Sequence, residues 1–125
     1  MANSAKIDPA GGPVTWTFSV THLKLGIYDG VVYDSSDVVQ ETWNDQRTDD
    51  SVPDRFTMKT DPGKLIGGSL WWNSFVSDPS DDGGPFVCTV SVEQGGNVLC
   101  QDAVAGEVPS GSGQIIHIGD QITFE

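Results

Sequence analysis

The chain has 125 residues, enough for one domain with a sizeable core, and its 18 acidic and 6 basic side chains give a net charge of −12. Every lysine and arginine lies within the first 64 residues. This acidity disfavours binding to phosphates or to anionic lipid, so we expect no nucleic-acid and no membrane partner. The opening residues MANSAK lack the apolar core of a signal peptide. We therefore expect a protein that is made in the cytoplasm and stays there or joins a virion. A secreted mature domain is the alternative.

Residues 1–13 are predicted to form an extended N-terminal arm in front of a single domain of residues 14–125. Ile7 is the only large apolar side chain of this segment after the first residue, and proline and glycine occupy four of the five positions 9–13. Such a segment is flexible unless something holds it. We expect Ile7 and Pro9 to bind a neighbouring subunit, because an extended arm can add hydrogen bonds to an exposed sheet edge.

Beyond the arm, apolar side chains alternate with polar ones in short runs, as in the VTWTFSV of residues 14–20. The remaining predicted strands fall in residues 23–28, 55–59, 65–76, 86–93, 98–104, 114–118 and 121–124. Eight or nine short strands at this spacing predict an all-β fold. The expected architecture is an antiparallel β-sandwich, immunoglobulin-like or jelly-roll-like.

Glycine-containing sequences predict the turns between these strands. They are Asp29-Gly30 as a type I′ turn, Asp61–Lys64 as a type II turn, Gly95-Gly96 as a hairpin tip and Gly119-Asp120 as a type II′ turn.

Residues 38–46 fit two structures. Asp37 begins a capping box, and the side chains at 39, 43 and 47 would share one face of a short helix. The same segment also fits a strand in which Val39, Glu41 and Trp43 lie on one face. Both interpretations stay open at this point.

The two cysteines, Cys88 and Cys100, are predicted to be free and buried. A two-residue loop at Gly95-Gly96 would place Cys88 opposite Ala103 and Cys100 opposite Ser91, on different rungs and opposite faces. A disulfide requires Cα atoms within about 7 Å, so no bridge is expected. Free thiols are typical of a reducing compartment.

Two acidic loops are candidates for calcium. In the sequence DPSDDGG, Asp78, Ser80, Asp82 and Gly83 occupy the places of half a calcium loop, but Thr89 stands where the final glutamate would be. An EF-hand is therefore excluded, and a simple loop site or a solvated turn remains. The candidate metal ligands are Asp78, Asp81 and Asp82. A second acidic loop carries Asp45, Asp49, Asp50 and Asp54. We expect no other cofactor.

The pair Trp71-Trp72 is the most informative feature, because neighbouring side chains on a strand point to opposite faces. One indole can enter the core, whereas the other, with Phe75, must find cover elsewhere. Trp71, Trp72 and Phe75 are therefore predicted to bind a partner subunit. Alternatively, Trp43, Trp71 or Trp72 provides a flat platform for a sugar ring.

Catalysis has little support, since the two histidines, His22 and His117, lie on apparent strands without metal-type spacing or a nucleophile motif. The first hypothesis is a non-enzymatic assembly subunit, such as a capsid decoration or tail component of a virion, forming a homo-oligomer or part of a larger symmetric complex. A carbohydrate-binding module or lectin, with Asp78, Asp81 or Asp82 holding calcium or hydroxyls, is the alternative. A secreted or surface domain that binds another protein is the third.

Overall fold

A computed structural model describes residues 3–48 and 52–125, which form nine strands and one short helix. The elements are β1 (Asn3–Ala5), β2 (Val14–Val20), β3 (Leu25–Tyr33), β4 (Val39–Thr48), β5 (Asp54–Thr57), α1 (Pro62–Leu65), β6 (Ser69–Ser77), β7 (Gly84–Gln94), β8 (Asn97–Val108) and β9 (Ile115–Phe124). Among these residues no helix is long and apolar enough to cross a membrane. The predicted all-β sandwich is confirmed.

The strands form two sheets. The larger sheet has the order β1-β9-β6-β3-β4, and the smaller has the order β5-β2-β7-β8. Neighbouring strands are antiparallel except for β1, which runs parallel to β9. The core lies between the sheets, where each strand turns its alternate apolar side chains inward.

Aromatic side chains from both sheets meet in this core. Phe18 of β2 stacks on Tyr28 of β3, with ring centroids 3.9 Å apart and planes within 17° of parallel. Trp16 of β2 lies edge-on to Trp43 of β4 at 5.6 Å and against Phe56 at 5.0 Å. These contacts tie β2 of the smaller sheet to β3 and β4 of the larger one.

The predicted turn at Asp29-Gly30 is wrong, because both residues lie in the middle of β3. Glycine is required there by close packing across the core. A Cβ atom on Gly30 would lie 2.6 Å from Cζ2 of the Trp16 indole, closer than van der Waals contact allows. The Trp16 ring therefore rests on bare backbone, and β3 continues straight through a sequence that resembles a turn.

The other turn predictions have mixed outcomes. Gly95-Gly96 forms the tip between β7 and β8, with both residues at positive φ. Asp61–Lys64 begins a single helical turn instead of a type II turn, since the Asp61 carboxylate accepts from the Gly63 N–H. Gly119-Asp120 is not a turn and lies within β9.

The helix considered for residues 38–46 is wrong, and the strand interpretation is confirmed. The segment forms β4, which pairs along its length with β3. The hairpin tip is organised by Asp34, whose Oδ1 accepts from the N–H groups of Ser36 and Val38 at 2.8 and 3.0 Å. The carboxylate turn therefore begins at Asp34, three residues before the predicted helix cap.

The cysteines are free, as predicted. The expected register of the hairpin is wrong by one residue: Cys88 faces Val104 and Cys100 faces Val92, because the pairing shifts between Val92 and Glu93. Because of this irregularity both thiols lie on the inward face, whereas the expected register would have put them on opposite faces. Four positions of β7 separate their rungs, about 13 Å, which leaves them too far apart for a bridge.

The predicted extended arm differs from the structure over residues 3–8. Strand β1 pairs with β9, and the Ile7 N–H donates to the Glu125 carbonyl at 2.7 Å. Ile7 is 4 % exposed and belongs to the chain's own core, so it is not an exposed partner-binding residue. Pro9 is exposed. Local patterns could not show this pairing because its two strands lie at opposite ends of the sequence.

Replacing Gly30 by Ala should lower the free energy of unfolding by about 1–3 kcal/mol, because the added methyl collides with the Trp16 indole. Chemical denaturation monitored by tryptophan fluorescence measures this change. Gly12→Ala is the matched control: no heavy atom lies within 4 Å of its added Cβ, so a change below about 0.5 kcal/mol is expected. Equal losses in the two variants would contradict the packing argument.

Candidate functional site

The outward side of the larger sheet carries an unusual group of side chains on its three central strands, β3, β6 and β9. Cross-strand pairing arranges them in three rows of three. We call this surface the aromatic face; its rows are Ile27, Phe75 and His117; Asp29, Asn73 and Gly119; and Val31, Trp71 and Gln121.

The two adjacent tryptophans are divided between core and surface, as the strand period predicted. Trp72 is 1 % exposed, whereas Trp71 is 47 % exposed on the aromatic face. The expectation that Trp72 binds a partner or a sugar is therefore wrong. Its indole fills the space between the sheets, edge-on to Phe18.

Trp43, the other predicted sugar platform, is also turned away from the aromatic face. Trp43 lies on β4 opposite Gly30 of β3 and points inward, where its ring packs against Trp16 and Phe56. Of the predicted aromatic residues, Trp71 and Phe75 alone share the outward surface within the described part of the chain.

Phe75 anchors one end of the aromatic face. It is 47 % exposed, and its ring stacks on the His117 imidazole with centroids 4.7 Å apart and planes within 17°. Its cross-strand neighbour Ile27 is 51 % exposed. Three neighbouring strands therefore present a continuous, largely apolar row to the solvent.

Trp71 borders a shallow groove of about 350 Å³ that runs along β6 and β9, lined also by Asn73, His117, Gly119, Asp120 and Gln121. Gly119 lines this groove with backbone alone, and the position has no room for a side chain. A Cβ atom there would lie 2.6 Å from Oδ1 of Asn73 and 2.7 Å from the Trp72 carbonyl oxygen. A hydrogen bond from Nε1 of Trp71 to the Ser69 hydroxyl, 3.0 Å long, fixes the orientation of the indole.

Polar side chains in the groove are already ordered before anything binds. The Asn73 amide nitrogen donates to Asp29 at 3.4 Å, and its amide oxygen lies 3.1 Å from Nε2 of His117. This chain of carboxylate, amide and imidazole crosses all three strands. It fixes the direction of each polar group and lowers the cost of ordering them around a ligand.

Asp120, which lines the groove, approaches a second carboxylate at the seam between the sheets. Asp102 of β8 is buried and accepts from the Trp72 indole N–H at 3.0 Å, and it also contacts Asp120 of β9. Burial, reinforced by the hydrogen bond and negative charge of Asp120, raises the pKa of Asp102 to about 6. Asn3 of β1 donates to Asp120 at 3.1 Å, which connects the seam to the first strand.

The first predicted calcium loop is organised by internal contacts. The Asp78 carboxylate accepts from Ser80 and from the Gly83 N–H, and the Lys24 ammonium lies 3.7 Å away. The Ser80 hydrogen bonds, with smaller contributions from Gly83 and Lys24, lower the pKa of Asp78 despite its desolvation. A cation already neutralises this carboxylate, so a calcium ligand role for Asp78 has no support; Asp81 and Asp82 are exposed.

The second acidic loop falls partly outside the described residues, which include Asp45 and Asp54 but not Asp49 and Asp50. Asp54 is occupied by the Tyr28 hydroxyl, at 2.5 Å, and by Arg47, at 2.6 Å. Over residues 3–48 and 52–125, no group of three or more histidine, cysteine or acidic side chains is arranged to hold a metal ion.

Several residues of the aromatic face were not identified from the sequence. Local sequence predicts a strand end at Ile27 and turns at Asp29 and Gly119, whereas all three lie in strands on this surface. Asn73 lies between Trp71 and Phe75 on β6. Because residues two apart on a strand share a face, the sequence alone indicates that Asn73 lies on the same face as these two aromatic residues.

No protein-family model, no curated protein and no solved structure matches this chain.

The Asp102 carboxylate gives a pH-dependent prediction. A raised pKa means that the folded chain binds more protons than the unfolded chain between about pH 4 and 6, so this group's contribution to stability falls as pH rises through that range. Asp102→Asn retains an acceptor for Trp72 and removes the repulsion from Asp120. It should raise the free energy of unfolding at pH 7 by up to about 3 kcal/mol, with the difference vanishing near pH 4.

Urea denaturation at a series of pH values measures this difference. Asp82→Asn, which removes one exposed negative charge, is the control and should follow the wild type at every pH. If Asp102→Asn also follows the wild type from pH 4 to 8, the seam carboxylates do not affect stability as described.

Proposed function

We propose that this chain is a non-enzymatic subunit of a symmetric assembly and that the aromatic face is its contact with a second copy. The observation that best supports this proposal is that Ile27, Trp71 and Phe75, each about half exposed, lie together on one sheet surface. Large apolar side chains grouped in this way are typical of interfaces in soluble proteins.

The pattern of the aromatic face supports pairing with itself. Its two outer rows are largely apolar, and the middle row, Asp29, Asn73 and Gly119, is polar. Two copies related by a two-fold axis through this middle row would place Phe75 of one copy over Trp71 of the other. A five-stranded sheet of this length offers roughly 600 Å² of surface, close to the ~800 Å² that each partner buries in a typical interface.

The contact brings few charges together; the main unfavourable pair is Asp29, which this axis places near Asp29 of the other copy. Asp29 and His117 are the only ionisable side chains in the three rows, although the whole chain carries a net charge of −12. The acidic groups lie mainly on other surfaces, where they would keep assembled particles soluble.

The non-enzymatic part of the proposal is supported by the surroundings of the histidines. His117 bonds to the Asn73 amide and His22 to the Thr21 hydroxyl, at 3.1 and 2.7 Å. Neither contact is to the carboxylate that commonly orients a catalytic imidazole. A role in a virion, as a capsid decoration or tail component, stays a prediction from the sequence.

Trp71→Ala and Phe75→Ala, made singly, should each weaken self-association at least about tenfold, because each removes a large side chain from the centre of the contact. Sedimentation equilibrium over a range of concentrations measures this effect. Val98→Ala, an exposed apolar residue at the tip of the β7–β8 hairpin, is the control and should associate as the wild type does.

Trp72→Ala should instead reduce stability: it should lower the free energy of unfolding by about 3–5 kcal/mol, because it leaves a cavity in the core. A wild type that is monomeric at every concentration would contradict assembly through this face.

A second function, carbohydrate binding, is favoured by the groove beside Trp71. A half-exposed indole, a glycine without a side chain and an ordered Asn73–His117 pair combine a flat apolar ring with fixed polar groups, the composition of a small-ligand site. Of the three tryptophans predicted as sugar platforms, this hypothesis relies on Trp71 alone, because Trp43 and Trp72 point inward.

Titration with tetrasaccharides of glucose, galactose, mannose and N-acetylglucosamine tests this second function. Binding should quench the fluorescence of Trp71 and move the amide signals of β6 and β9, with Trp71→Phe retaining and Trp71→Ala losing most of the affinity. Trp43→Phe, on the inward side of β4, is the matched control. No response to any of the four sugars would exclude the carbohydrate hypothesis and leave the assembly proposal standing.

A further inference from the structure

Strand β1 is attached to the rest of the domain as a docked segment. It runs parallel to β9, with Asn3, Ser4 and Ala5 opposite Ile122, Thr123 and Phe124. Two further backbone hydrogen bonds extend the pairing, from the Ile7 N–H to the Glu125 carbonyl and from the Glu125 N–H to the Ala5 carbonyl. All of these bonds join β1 to the opposite end of the chain.

The site that holds β1 is a groove between the two sheets, since β1 contacts β8 of the smaller sheet as well as β9 of the larger one. Ala5 and Ile7 fill this groove and are almost completely buried. The groove therefore recognises an extended segment by backbone pairing and by two apolar side chains at alternate positions.

The segment that follows β1 is held closed by one side chain. The buried amide of Gln94 donates from Nε2 to the carbonyls of Asp8 and Gly12, at 2.8 and 2.9 Å, and its Oε1 accepts from the Asp8 N–H at 2.9 Å. Gly11 lies directly against this amide, where a Cβ atom would be 2.7 Å from Nε2. Residues 8–12 thus form a tight loop around Gln94.

The same loop has a sequence that favours the open form. Pro9 and Pro13 disfavour helical backbone at the residues before them, Asp8 and Gly12, and promote extended structure. If residues 8–13 extended fully, they would span about 19 Å, enough to carry β1 away from its own β9. The Gln94 contacts and the two prolines therefore act in opposite directions.

We propose that β1 exchanges between two copies of this chain, so that β1 of each copy occupies the groove between β8 and β9 of the other. The exchanged form keeps every β1–β9 hydrogen bond and the burial of Ala5 and Ile7, and it differs mainly in the loop around Gln94. The exchange does not depend on the aromatic face, because β1 lies at the edge of the larger sheet, beyond β9.

A cross-linking experiment with full-length chains tests this exchange. Ser4 and Thr123 are direct partners on neighbouring strands, so cysteines at these positions lie at disulfide distance. A Ser4→Cys chain and a Thr123→Cys chain are mixed, refolded together from denaturant at high concentration and oxidised. Because Cys88 and Cys100 are also free thiols, mass spectrometry of proteolytic fragments identifies the disulfide that joins position 4 to position 123. That link between two molecules forms only where β1 of one lies on β9 of another.

We expect this mixed dimer at a yield several-fold above that of a control mixture, Ser4→Cys with Thr57→Cys, whose second cysteine lies on the exposed side of β5. Gln94→Ala should increase the yield by opening the loop, and Pro9→Ala should decrease it. The Ser4→Cys/Thr123→Cys double variant should form an internal disulfide in dilute solution, which verifies the register.

A mixed dimer at the control level in the wild-type background overturns the exchange, whatever the behaviour of Gln94→Ala. Trp71→Ala in the same background separates this result from the proposed assembly contact. Loss of the aromatic face should leave the yield of the Ser4–Thr123 cross-link unchanged.

Discussion

The contact between the Trp16 indole and the bare backbone of Gly30 determines the course of β3, and with it the outward surface of the larger sheet. Because β3 can pass over the indole without turning, it runs nine residues from Leu25 to Tyr33 and pairs along its length with β4 and β6. Its outward residues then lie beside those of β6. A turn at Gly30 would have removed Ile27 and Asp29 from the surface that carries Trp71 and Phe75, and the aromatic face would not exist.

Glycine explains where prediction from sequence succeeded and where it failed. Gly95 and Gly96 adopt positive φ and make a hairpin, as a local signal should. Gly30 and Gly119 are strand residues, required because Trp16 in one case and Asn73 in the other lies too close for a Cβ atom. Gly30 and Gly119 each stand next to an aspartate, which makes them resemble turn glycines in sequence. The difference depends on a side chain 14 or 46 residues away, which no local pattern contains.

The strand period predicted that Trp71 and Trp72 would separate, but not which of them would be buried. That choice is made by pairing with β3 and β9, whose registers depend on contacts distant in sequence. The same limit applies to β1, since a three-residue parallel pair carries no periodic signal. Ile7 is the one large apolar side chain of its segment, and it packs in the chain's own core instead of lying exposed for a partner.

The edges of both sheets are protected, which leaves the aromatic face as the surface best suited to contact. β1 and β5 are only three and four residues long, too short to template another strand. β4 places Glu41 against the backbone N–H groups of Lys59 and Thr60, and β8 turns the charged Asp102 inward at the seam. Short edge strands and inward-pointing charges both disfavour strand addition by other molecules. A partner would therefore gain most by covering the exposed side chains of Trp71, Phe75 and Ile27, where apolar area can be removed from water without separating any paired charge.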